Sequence, residues 1–271
     1  MFVKRVITAV IGLPIAILLI SLGHIPLLAM LMLISLIGLY EFYKAASDKS
    51  IPVHKAGYVF VFVYYYILQN PNNLHYLLLT LSALMLTILI MLVVFYKIIS
   101  FIDCAITLFG FYYIPVLFSF IYLAREHYLG SFFIWIIFIC AWGSDTGAYI
   151  FGRLFGRHKL APVLSPKKTV EGALGGILSS GLIAFIYATL MLRFSNVYVD
   201  ESIPIVLICI VAGVAGSVFA QLGDLAASAI KRQSNIKDYG NIFPGHGGVM
   251  DRFDSVLFTA PSVYILIVFL V

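Results

Sequence analysis

IPIVLICIVAGVAGSVFAQLGDLAASAIKR, residues 203–232, decides the fold class of this chain. Its first part, up to Leu222, carries no charge, and a membrane-spanning helix needs roughly 20 such residues. From Gly223 onward the same apolar run acquires Asp224, Ser228, Lys231 and Arg232. A segment of this length exceeds a plain span, so its last two turns are expected to emerge into water or to line a cavity. The whole chain agrees with a membrane setting. It has 271 residues, of which 62% are hydrophobic and 11% charged, with a mean hydropathy of +1.06. An average soluble domain is about one quarter charged.

Outward from that stretch, nine apolar segments can be drawn, at about 6–22, 25–43, 56–69, 74–96, 104–124, 130–151, 170–192, 203–230 and 256–271. The expected fold is therefore an all-α polytopic integral membrane protein of about nine transmembrane helices. The third segment, YVFVFVYYYIL, is short and aromatic. The first has a basic start and an apolar core but no small-x-small cleavage site, so it reads as an uncleaved span. With nine spans, 15 of the 17 Lys and Arg residues fall on one side and only Arg125 and Arg193 on the other. The positive-inside rule makes the first side cytoplasmic. The N-terminus is then cytoplasmic and the C-terminus opposite. The net charge of +5 reads as a basic face for anionic headgroups and phosphorylated ligands, not for nucleic acid. Cys104, Cys140 and Cys209 lie far apart in apolar runs and suggest neither a zinc site nor a disulfide framework. Most of the abundant Tyr and Phe are expected in an interfacial aromatic belt.

The polar motifs gather in two predicted cytoplasmic loops, 152–170 and 231–255, and the helix ends beside them. Asp224, Ser228 and Lys231 are spaced by four and three residues, which places them on one helix face. An Asp224–Lys231 pair would be the purely structural reading. The loop that follows, KDYGNIFPGHGGVMDRFDS at 237–255, adds Lys237, Asp238, His246, Asp251, Arg252 and Asp254. Gly245, Gly247 and Gly248 permit tight turns and close approach to a ligand, while Pro244 limits the loop. Carboxylates without thiolate or imidazole partners suit magnesium, which binds through one or two carboxylates, waters and substrate phosphates. Interleaved Lys and Arg supply cations for those phosphates, as phosphoryl and nucleotidyl transfer require. His246 is either a general acid–base group or a hydrogen-bonding loop residue. An ionised phosphate oxygen needs no base, which favours the second.

The other loop begins inside the sixth segment with Asp145, in an apolar run where an acid is functional or a buried partner. Two Gly-Arg pairs follow at 152–153 and 156–157, then Ser165-Pro-Lys167-Lys168-Thr169. Thr169 can cap the seventh helix and Glu171 suits its positive end. Lys167 and Lys168 are either an ordinary basic pair or phosphate ligands beside a helix N-terminus. Gly172/Gly176, Ala212/Gly216 and Gly213/Ser217 read as close helix packing.

The run SAIKRQSNIKDYGNIFPGHGGVMDRFD, Ser228 to Asp254, resembles the signature of CDP-diacylglycerol synthases, the phosphatidate cytidylyltransferases. The matching positions are Ser228, Lys231, Arg232, Lys237, Asp238, Pro244, His246, Gly247, Gly248, Asp251, Arg252 and Asp254, and residues 142–176 are also similar to that family. The resemblance implies CMP transfer from CTP to phosphatidic acid with release of pyrophosphate. It implies a homodimer in the inner (plasma) membrane, in contact with membrane lipids, with a polar cavity open to the cytoplasm. It implies that Asp224 and Asp251 hold Mg2+, with K+ as a second cation. Asp224, Lys231, Arg232, Lys237, Asp238, His246, Asp251 and Asp254 form the expected catalytic set. Asp145, Ser165, Lys167, Lys168, Thr169, Glu171, Ser228 and Arg252 form the expected substrate-binding set. The catalytic helices would be 130–271, with 1–125 as scaffold, lipid access and dimer contacts.

A transporter or channel is the alternative, given Asp145 and Asp224 in apolar segments. The acids cluster toward one face, however, rather than at the midplane of inverted repeats. A CDP-alcohol phosphotransferase would need Asp-Gly-x-x-Ala-Arg, and GDLAAS at 223–228 lacks it.

Overall fold

The computed structural model describes residues 2–46, 53–70, 74–194, 203–242 and 247–270. Lys49, Pro244, Gly245 and His246 lie outside the described residues, as do the side chains of Lys4 and Arg5. Among the described residues there are nine helical segments: α1 (Phe2–Leu22), α2 (His24–Ala46), α3 (His54–Leu68), α4 (Leu74–Val94), α5 (Phe101–Glu126), α6 (Gly130–Phe155), α7 (Val170–Phe194), α8 (Ile205–Gln233) and α9 (Met250–Leu270). Between α6 and α7 a short antiparallel hairpin pairs β1 (Lys159–Ala161) with β2 (Ser165–Thr169).

Seven of these helices, α2 and α4 to α9, are long and apolar enough to cross a membrane. With its 15 residues, α3 reaches only about 22 Å, short of a hydrocarbon core of roughly 30 Å. Apolar side chains also cover the outside: Leu78, Leu79, Leu86, Ile90 and Val93 of α4 are all exposed. In water such a surface would aggregate, whereas in lipid it is the expected solvent contact, with the helix satisfying its own backbone. This is a multi-pass, all-α membrane protein.

Two boundaries differ from the sequence reading in ways that bear on the site. Helix α9 starts at Met250 rather than near 256, so Asp251 and Asp254 lie in its first turns. Acids at that end face the unpaired N–H groups and the positive end of the dipole, so polar residues are helical here and hydropathy alone misplaces the start. The hairpin was expected to be loop. Pro166 lies inside β2, a residue tolerated only on edge strands, and a two-stranded ribbon is all edge.

The chain packs as two compact units, Met1–Tyr122 with Lys231–Arg252, and Leu123–Ile230 with Phe253–Val271. In the first, some of the aromatic residues go inward, while others, Phe62, Tyr66, Tyr76 and Tyr96 among them, are exposed. Tyr43, Tyr65, Phe111 and Phe118 are fully buried. Three of the tyrosine hydroxyls find partners: Tyr43 donates to the Thr107 carbonyl at 3.0 Å, Tyr65 lies 2.8 Å from Ser35 Oγ, and Tyr64 lies 2.9 Å from Ser119 Oγ. The short α3 is thus held by tyrosines.

The second unit packs through small residues, as the spacing predicts. A Cβ on Gly172 would stand 2.8 Å from the Ala148 carbonyl oxygen, and one on Gly176 the same distance from that of Ser144. Such close backbone approach is how helices gain dispersion contacts where no hydrophobic effect separates them from lipid. Polar side chains add a buried seam. Ser217 Oγ donates to Ser144 Oγ at 2.9 Å, and Gln221 Nε2 donates to the Ala173 carbonyl at 3.0 Å. Cys104, Cys140 and Cys209 are free and buried.

Candidate active site

Asp251 sits in the first turn of α9 with a side chain only 3% exposed. Its Oδ1 accepts from Lys231 Nζ at 2.9 Å, at the end of α8. Its Oδ2 accepts two backbone N–H groups, from Tyr239 at 2.8 Å and from Gly248 at 3.0 Å. The carboxylate therefore ties the incoming loop, the helix start and a lysine together. Three donors to one charge suffice to hold it buried. The Lys231 ammonium also lies 5.6 Å from the Tyr239 ring centroid, over its face.

Asp224 is held differently. It lies on α8 in the second unit, where Lys168 of β2 forms an ion pair with its Oδ2. Ser228 Oγ is 3.5 Å from its Oδ1, a long contact one helical turn away. The two side chains of the ion pair are 25% and 29% exposed, so water reaches both. The intrahelical Asp224–Lys231 pair that the spacing allows is replaced by these two separate pairings.

Thr169 caps α7 as expected: its Oγ1 accepts the Gly172 N–H at 3.1 Å. The cap joins β2 to α7 and so sets where Lys168 stands. Glu171 accepts the N–H groups of Arg157 at 3.0 Å and His158 at 3.2 Å, and its Oε1 lies 2.6 Å from His158 Nδ1. Its carboxylate thus folds the Gly-Arg segment onto the helix. Ser165 pairs through its backbone with Ala161 in the hairpin. Lys167, Arg232, Lys237, Asp238 and Arg252 are exposed. Asp254 accepts the N–H of the adjacent Ser255 at 2.8 Å. Asp145 is exposed.

Sequence reasoning missed Glu41. It lies on α2 at 1% exposure, and its two oxygens accept the N–H groups of Val249 at 3.1 Å and Met250 at 3.0 Å. It therefore caps the start of α9 from another helix. The signal was available: a lone acid in an apolar span is a functional candidate by default. Beside it opens a cavity of about 530 Å³, lined among others by Tyr40, Lys44, Asp238, Tyr239 and Asn241.

Among the described residues, no group of three or more His, Cys, Asp or Glu could hold a metal. Magnesium asks for less, one or two carboxylate oxygens with waters and phosphates completing its shell. The donors fit that demand. Asp224 Oδ2 and Asp251 Oδ1 each already face a cation, a lysine ammonium.

The model of a cytidylyltransferase family matches residues 3–270. The chain belongs to the cytidylyltransferase family. Curated relatives in this family include a protein of Staphylococcus saprophyticus, 43% identical over 169 residues, and one of Staphylococcus haemolyticus, 44% identical over the same length. A third, from Staphylococcus aureus strain COL, is 40% identical over 169 residues. Each is named phosphatidate cytidylyltransferase, and each match covers 62% of this chain and 61% of the relative. The chain thus spans about three fifths of the curated relatives it matches.

Proposed function

We propose that this protein is a magnesium-dependent phosphatidate cytidylyltransferase, transferring CMP from CTP to phosphatidic acid and releasing pyrophosphate. The family match over residues 3–270 carries the reading. The two carboxylate–lysine pairs, Lys168–Asp224 and Lys231–Asp251, support it. In each pair the charges offset one another. A magnesium–triphosphate complex offers both halves a stronger partner: oxygen anions for the lysines and a divalent cation for the carboxylates.

A phosphatidate oxygen attacks the α-phosphorus of CTP, the bond to the β,γ-diphosphate breaks, and pyrophosphate leaves. The attacking oxygen is already ionised at neutral pH, so no general base is needed. Magnesium supplies charge neutralisation on the phosphates. Lys168 and Lys231, released from their aspartates, hold phosphate oxygens, with Lys167, Arg232 and Lys237 adding positive potential. Catalysis is then mostly positioning and electrostatics. We place the reaction at the cytoplasmic face of a nine-span protein in the plasma membrane, from the bias of basic residues. Family membership disfavours the transporter reading.

The test is pyrophosphate release by purified full-length protein in detergent, with CTP, phosphatidic acid and magnesium each present or omitted. Release that needs all three, with a CDP-lipid product, is the expected result. Release from CTP without the lipid, or no release from folded protein, would overturn the reading.

A further inference from the structure

We infer that Glu41, in the second helix, is a positioning residue that fixes the loop around Asp251 in its working geometry. The inference rests on the proposed transfer only insofar as Asp251 takes part in it. Asp251 Oδ2 is gripped by two backbone N–H groups, those of Tyr239 and Gly248. Glu41 lies directly behind both. A Cβ on Gly240, next to Tyr239, or on Gly248 itself would overlap the Glu41 carboxylate. The same carboxylate accepts Val249 N–H and Met250 N–H, the two residues between Gly248 and Asp251. Gly38, one turn earlier on α2, lets that helix meet the Met250 side chain, 3.3 Å from where a Cβ would stand. So one acid, 1% exposed, sets the distance between the 239–240 segment and the 248–250 segment, and Asp251 spans the gap.

The chemistry is that of a buried anion in a nest of N–H donors. Both oxygens of Glu41 are used, one per donor, at the positive end of α9. A glutamine keeps the shape but offers one acceptor, and turns an NH2 group toward the other N–H. The loop must then shift to relieve two donors facing each other. Glu41 reaches no substrate in this scheme. It acts through Asp251.

The test uses full-length protein in detergent. Glu41→Gln is expected to lower kcat about tenfold per folded molecule, with KM for CTP changed less than about threefold. The same change on an Asp251→Asn background is expected to cost under about twofold, because its target is already gone. Gly240→Ala approaches from the other side, displacing the carboxylate without removing it, and should show the same coupling to Asp251. A structural role alone would lower the folded fraction and leave kcat per folded molecule intact. Unchanged kcat in both single variants, or equal losses on both backgrounds, would overturn the inference. Hydrogen exchange needs no turnover and so separates this idea from the proposed activity. Peptides over 236–242 and 247–252 should exchange at least about tenfold faster in Glu41→Gln. Unchanged exchange overturns the inference even if wild-type transfer is never seen, whereas faster exchange with no wild-type transfer sinks the activity and leaves the clamp standing.

Discussion

Asp224 and Asp251 are the same residue type in opposite surroundings. Asp251 is 3% exposed and has three donors, two of them backbone. Asp224 is 29% exposed, and its partners are two side chains, Lys168 and the distant hydroxyl of Ser228. A carboxylate held by backbone is fixed as firmly as the fold itself. One held by a lysine that is itself 25% exposed is held weakly, because water competes and the side chains lose entropy to meet. The difference separates two tasks. Asp251 organises the loop through Oδ2 and turns Oδ1 toward Lys231, its donor among the described residues. Asp224 keeps a partner that water can reach and displace.

The sharpest way to break that contrast is to neutralise each acid. Asp251→Asn is expected to lower CMP transfer by at least about a hundredfold, since one of the two carboxylates proposed to hold magnesium is lost. It should also lower stability by about 1.5–3 kcal/mol, because hydrogen bonds to a charged group are replaced by poorer ones. Asp224→Asn is expected to lower transfer between about tenfold and a hundredfold, with a stability change under about 1 kcal/mol. Transfer assays paired with apparent melting temperatures at one scan rate read both. Equal destabilisation by the two changes would erase the distinction, and near-normal turnover in Asp251→Asn would remove it from the metal site.

The lysines should show the same split more weakly. Lys231→Ala strands a buried carboxylate with backbone donors only, and should destabilise by about 1–3 kcal/mol. Lys168→Ala should change stability by less than about 1 kcal/mol, because its pair is partly exposed. Its effect should appear in turnover, as an about tenfold higher KM for CTP or phosphatidic acid with kcat nearly kept. Steady-state kinetics over both substrates decides this. A large melting shift in Lys168→Ala would mean that the Asp224 pair is structural.

How much of this was legible depends on how far apart the interacting residues are in the chain. Long apolar runs mark α2 and α4 to α9 because a span must bury every backbone group within itself. The Thr169 cap was readable too, since its partner Gly172 is three residues on. Asp224 and Lys168 were both singled out, yet their pairing was not, because nothing local reports a contact between a hairpin and a later helix. Glu41 could have been singled out as a lone acid in an apolar span, but its acceptor role could not be read, because it is defined by Met250, 209 residues away. The hairpin 159–169 was hidden by two prolines, which argue locally for loop. The aromatic run of α3 was legible as a helical segment, and what stayed hidden is that Tyr64 and Tyr65 satisfy their hydroxyls inside the fold.

The smallest expected effect tests the soft half of the comparison. Thr169 stands between Lys168 and α7, and its hydroxyl closes the helix start. Thr169→Val keeps the volume and the branched stem and removes only the acceptor. Loss of an N-cap costs about 1 kcal/mol, so the apparent melting temperature should fall by a few degrees at most. If the Asp224–Lys168 pair yields readily, fraying this junction should change CTP turnover by less than about threefold, since Lys168 need only be within reach of a phosphate. A drop as large as that of Asp224→Asn would mean that β2 must hold Lys168 rigidly. The two acids would then differ only in what holds them, not in how firmly they are held.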